Sequence, residues 1–130
     1  MKVKFIGNPQ KGILEDEYGQ KTDSLVVGRT YNVLGVEIIK GASYYYLATF
    51  NESFYPTPYL SEYFEIVSSQ LSKYWEISIE SEVVRLMFKD WIRVPDFVTV
   101  FVRSIEEGSE SYKYLEQFEV YKSRIDKENK

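Results

Sequence analysis

The spacing of apolar and polar residues predicts strands in the first two thirds of the chain and helix in the last third. Residues 2–6 alternate polar and apolar, the period of a half-buried strand, and Gly7-Asn8-Pro9 ends the run. Residues 9–24 hold Gly12, Gly19 and the acids Glu15, Asp16, Glu17 and Asp23, a composition that predicts a long loop or irregular hairpin. The β-branched stretch 25–38 predicts a strand, with a sharp turn at Gly28 and a bend or bulge at Gly35. Gly41 marks a hairpin turn before a strand over 43–50. Residues 54–59 carry Pro56 and Pro58 and are expected to be irregular, because proline cannot donate to an inner ladder. Residues 63–67 and 74–79 read as strands again.

Two stretches fit both periods. Val84, Leu86 and Phe88 share one face of a strand, whereas Val83, Met87 and Trp91 fall four apart on a helix. Phe97, Val98, Phe101 and Ile105 share a helical face behind Pro95, whereas Val98, Val100 and Val102 alternate like a strand. Gly108 is a natural stop, and Ser109 or Ser111 suits the cap of a final helix. That helix carries Tyr114, Phe118, Tyr121 and Ile125 at helical spacing, and the charged tail 126–130 is expected to fray. The sum is one α+β domain over 1–130. It has a barrel-like half at 1–67, additional strands at 68–92 and a helical half at 93–126, with two C-terminal helices packed on the sheet. Trp75 and Trp91 are expected to anchor the helices to it.

Composition narrows the class. The chain has 130 residues, 44% hydrophobic, enough to bury a core without staples. It has no Cys and no His, so disulfides and thiolate–imidazole zinc sites are impossible. The same absence removes serine triads, cysteine–histidine dyads and the commonest general base at neutral pH. No cofactor or metal is expected, and the chain is read as a non-enzyme. The net charge of −4 is spread over both halves, with no basic stripe to follow a phosphate backbone, which argues against nucleic acid. The N-terminal apolar run is too short for a signal peptide and no later run reaches spanning length, so a cytoplasmic, membrane-free chain is expected.

Motif matches are sparse. Gly7 and Gly12 have the spacing of a phosphate loop, but Ile13 and Leu14 stand where Lys and Ser or Thr are needed. The acids at 15–17 and 23 lack the alternation of a calcium loop. Tyrosine is abundant, with twelve copies, and gathers in Tyr44-Tyr45-Tyr46 and around Tyr55 and Tyr59. Most of these rings read as core; exposed ones would supply contact area at low entropic cost.

Residues 25–67 resemble a Src-homology-3-like barrel segment. The resemblance is carried by Leu25-Val26-Val27-Gly28-Arg29-Thr30-Tyr31-Asn32-Val33, by Tyr44-Tyr45-Tyr46-Leu47 and by the closing Tyr63-Phe64-Glu65-Ile66-Val67. The layout of the whole chain is similar to that of small bacterial immunity-type proteins. Trp75, Trp91, Pro95-Asp96-Phe97 and Phe118-Glu119-Val120-Tyr121-Lys122 fill the corresponding places. The resemblance implies a protein that binds and neutralises a toxin. On that reading Glu15, Asp16 and Glu17 supply charge toward a basic partner, and Tyr45, Tyr55 and Tyr59 supply contact. The alternative is a peptide-binding module that uses the barrel's aromatic groove.

Overall fold

The computed structural model describes residues 1–7, 25–48, 56–92, 94 and 111–130. The loop at 9–24, Tyr55 and the helix-or-strand question at 97–105 lie outside these residues. The architecture is α+β: two antiparallel sheets with helix, and the sheets do not close into a barrel. Strands β1 (Lys2–Phe5), β2 (Thr30–Asn32) and β6 (Phe64–Ser68) form a small sheet in the order β2-β1-β6. Strands β3 (Gly35–Ile39), β4 (Ala42–Leu47), β5 (Thr57–Leu60), β7 (Trp75–Glu80) and β8 (Val83–Phe88) form a larger one, in the order β5-β4-β3-β8-β7. A single turn, α1 (Lys89–Ile92), follows β8, and α2 (Ser111–Glu128) ends the chain.

The chain changes sheets three times, and two of the crossings are tight corners. At the first, Val33 N–H donates to the Met1 carbonyl of the small sheet at 3.1 Å, while Leu34 N–H donates to Tyr46 of the large sheet at 2.8 Å. The bend expected at Gly35 therefore falls one residue earlier. Gly35 itself is in the strand for want of space: a Cβ there would stand 3.1 Å from Met87 Cβ. The second corner is a 3₁₀ turn over Ser61–Tyr63 that carries the chain from β5 to β6. Lys40 and Gly41, with φ of 50° and 83°, make the tight turn between β3 and β4. Paired positive φ values match the right-handed twist of the flanking strands.

Two expectations are corrected. Residues 57–60 are strand, with Pro58 opposite Tyr46, because β5 is the sheet's edge and one side needs no donor. The tail is tied down rather than frayed. Asn32 Nδ2 donates to Asp126 at 2.9 Å, Lys73 N–H to Glu128 at 3.2 Å, and the Met1 ammonium to Asn129 at 3.2 Å. Of the ambiguous stretch, 83–88 is strand, as the alternation of Val84, Leu86 and Phe88 predicts, and only the turn 89–92 is helical.

The core has two halves, one on each side of the large sheet. Val3, Phe5, Tyr31 and Phe64 of the small sheet meet Val36, Tyr45 and Tyr59 on one side. On the other, Leu34, Tyr46 and Met87 meet Trp91, Phe118, Tyr121 and Ile125. Sandwiching the large sheet buries all of Tyr44, Tyr45 and Tyr46, although successive side chains point to opposite faces. Trp91 anchors the second half as expected, and the half-buried Trp75 packs against both.

Tyr121 fixes α2 to α1. Its ring stacks on Phe88 at 3.9 Å between centroids, and its hydroxyl donates to Asp90. Burial, then the hydrogen bond and charge of Asp90, push its pKa up to about 12. The neutral phenol is the form the fold stabilises. Its contribution is complete below pH 10, the ordinary phenol value, and is lost as pH rises from there to 12. Chemical denaturation of the native chain and of Tyr121→Phe, which keeps the ring, is expected to show a stability advantage for the native chain at pH 8. That advantage shrinks steadily above pH 10. A gap independent of pH would refute the linkage.

Candidate protein-contact surface

The large sheet carries side chains in rows set by its register, and two rows define its chemistry. The first faces the small sheet and runs Tyr59, Tyr45, Val36, Leu86, Ile77. Three short strands cannot cover five. Exposure along this row therefore rises from 2% at Tyr59 and 8% at Tyr45 and Val36 to 62% at Ile77. The adjacent row on the same face runs Ser43, Ile38, Val84, Ile79. It lies further from the small sheet, and exposure reaches 38% at Ile38 and 70% at Ile79. The same alternation that builds the core at one side of the sheet thus exposes Ile38, Ile77 and Ile79, with half-buried Val84 and Leu86 between them. A contiguous apolar patch of this kind is a common mark of an interaction site on a folded chain.

The charge comes from the other face of β7. Glu76 and Glu80 lie opposite Met87 and Val83, and Glu82 follows in the turn. All three are exposed, and none forms an ion pair with a described residue. On that face Arg85, opposite Ser78, lies between them but is paired with Glu37.

The second row is interior and ionic. It runs Leu60, Tyr44, Glu37, Arg85, Ser78 across the opposite face. Glu37 is only 3% exposed and accepts from Arg85 Nε at 2.7 Å and from the Tyr46 hydroxyl at 3.1 Å. Removing a carboxylate from water is costly unless a cation and further donors meet it, and here both do. Arg85 reaches Glu37 because they are cross-strand partners of β8 and β3. The pair ties β3 to β8, two of the three strands that carry the exposed patch.

The sequence-derived site residues separate into two groups. Tyr45 and Tyr59 lie in the core, their rings edge-on to Phe64 at 5.9 and 6.3 Å, so neither offers contact area. Burial also raises the pKa of Tyr45 above the ordinary phenol value. This corrects their assignment to a partner surface: the small sheet covers the side of the large sheet toward which they point. It also removes two rings from any aromatic groove for peptides. Glu15, Asp16, Glu17 and Tyr55 lie outside the described residues. Sequence reasoning missed Ile77, Ile79, Glu76 and Glu80, although their alternation in Trp75-Glu76-Ile77-Ser78-Ile79-Glu80 was legible. It also missed the Glu37–Arg85 pair, whose trace is a single acid inside Gly35-Val36-Glu37-Ile38-Ile39.

Among the described residues no helix is long and apolar enough to cross a membrane. No protein-family model, curated protein or solved structure matches the chain.

Proposed function

We propose that the chain is a non-catalytic protein-binding domain that occludes a basic partner, in the manner of an immunity protein neutralising a cognate toxin. The observation that supports this reading most is the exposed Ile38, Ile77 and Ile79 patch, with Glu76 and Glu80 on the opposite face of the same strand and Glu82 in the turn after it. Apolar area supplies affinity on contact, and exposed acids steer and select a basic surface. A chain with no imidazole and no thiol is suited to work by contact. The immunity assignment rests on the resemblance in layout, and the contact surface rests on the geometry of β7 and β8.

The test uses the protein encoded by the neighbouring reading frame as the partner. Ile77→Asp together with Ile79→Asp changes two exposed side chains, so a stability loss of only about 1–2 kcal/mol, from strand propensity, is expected. Affinity by titration calorimetry is expected to fall by roughly a hundredfold, the scale of losing a central apolar contact. Native affinity in the double variant would remove the patch from the interface. No binding by the native chain would remove the immunity reading.

A further inference from the structure

We infer that β7 accepts an added strand from its partner, and that Glu76 and Glu80 restrict the choice to a segment alternating β-branched apolar residues with Lys or Arg. The inference rests on the protein-binding reading and names the chemistry of what is bound. Among the described residues, strand β7 is last in the order of its sheet and pairs with β8 alone. An antiparallel ladder uses the backbone groups of alternate residues, so half of the N–H and C=O groups of β7 point away from the sheet. Folded proteins blunt such edges with Pro, Lys or a bulge. Strand β7 contains no Pro and no Lys, and its register with β8 is unbroken over all six residues.

Its side chains specify the occupant. An added strand must continue the apolar face of Ile77 and Ile79 on one side and lie beside Glu76 and Glu80 on the other. Residues directly across a ladder are about 5 Å apart, close enough for charge to decide the pairing. A second copy of β7 fits poorly. Full-length antiparallel self-pairing sets Ile79 opposite Glu76 and Trp75 opposite Glu80. Centring the pair on Ser78 matches the faces but sets Glu76 opposite Glu80 twice, and centring it on Ile77 matches them only by gathering Glu76 and Glu80 of both copies on one face. A basic alternating strand has neither conflict.

The test titrates the ¹⁵N-labelled full chain with three capped eight-residue peptides. One alternates Val and Lys, one alternates Val and Glu, and one is the Val–Lys peptide N-methylated at every second residue, which keeps side chains and removes donors along one edge. The Val–Lys peptide is expected to shift the amides of Trp75–Glu80, slow their hydrogen exchange, and bind at least roughly tenfold more tightly than either control. Glu76→Lys with Glu80→Lys is expected to reverse the preference between the two unmethylated peptides. Equal binding of the N-methylated peptide overturns strand addition, and equal binding of the Val–Glu peptide overturns selection by charge. A concentration-dependent dimer in sedimentation, with β7 amides protected, makes a second copy the occupant instead. If the neighbouring gene's product loses affinity for Ile77→Asp/Ile79→Asp while no peptide engages β7, the protein-binding reading stands and strand addition alone fails.

Discussion

Replacing Trp91 by Ala is expected to lower the unfolding free energy by about 3–5 kcal/mol, as for other large aromatic-to-Ala changes in packed cores. Trp91 is 2% exposed and stands edge-on to Phe88 at 5.0 Å and to Tyr121 at 5.3 Å. It joins the end of β8, the turn α1 and the face of α2 that bears Phe118, Tyr121 and Ile125. No single neighbour can refill the space, because Phe88 and Tyr121 are already held by stacking on each other. A native domain of this size has only about 5–15 kcal/mol in hand, so the variant is expected to populate unfolded chain at moderate temperature. Trp91→Phe keeps most of the volume and is expected to lose about half as much. Urea denaturation followed by far-UV circular dichroism measures both. A loss under 1 kcal/mol for Trp91→Ala would mean that α2 is not held through this cluster.

Replacing Arg85 by Met is expected to cost about 3 kcal/mol, the lower end of the range for breaking a buried ion pair, since Arg85 keeps some contact with water. Glu37 is then left in the interior without the cation that stood at 2.7 Å. Adding Glu37→Leu to Arg85→Met removes the buried carboxylate as well, and most of the loss is expected to return. About 1 kcal/mol stays lost, because the Tyr46 hydroxyl no longer donates to Glu37. The coupling between the two positions from the double-mutant cycle is therefore expected to be at least about 2 kcal/mol. Additive single effects would show that the pair contributes through its two side chains separately. The surface ion pair between Lys4 and Glu65, 3.6 Å apart with both side chains exposed, is expected to contribute little by the same measurement.

The parts of the fold legible in the sequence are those where one period dominates. Alternation at 2–6 and 74–79, and three- and four-residue spacing from Phe118 to Ile125, predicted elements close to those observed. Stretch 82–92 was ambiguous because a strand ends inside it and a helical turn begins. The tyrosine triplet shows why burial was harder to read. Alternation says that Tyr45 faces away from Tyr44 and Tyr46, but not that a second layer waits on each side. That second layer is set by long-range pairing of β1 with β6 and by the return of α2, neither of which a local window contains. The contact surface was hidden for the same reason. Ile77 and Ile79 look like core residues in a strand, and only the three-strand width of the small sheet leaves them in water. Conversely, Pro58 looked like a strand breaker until β5 proved to be an edge.

Hydrogen–deuterium exchange on the chain alone and in complex with the product of the neighbouring reading frame tests the contact surface most directly. The amides of Trp75–Glu80 and of the facing strand Val83–Phe88 are expected to be the segment that gains the most protection on binding. Unchanged exchange there, with protection gained instead at residues 9–24, would contradict the account and return the interface to Glu15, Asp16 and Glu17.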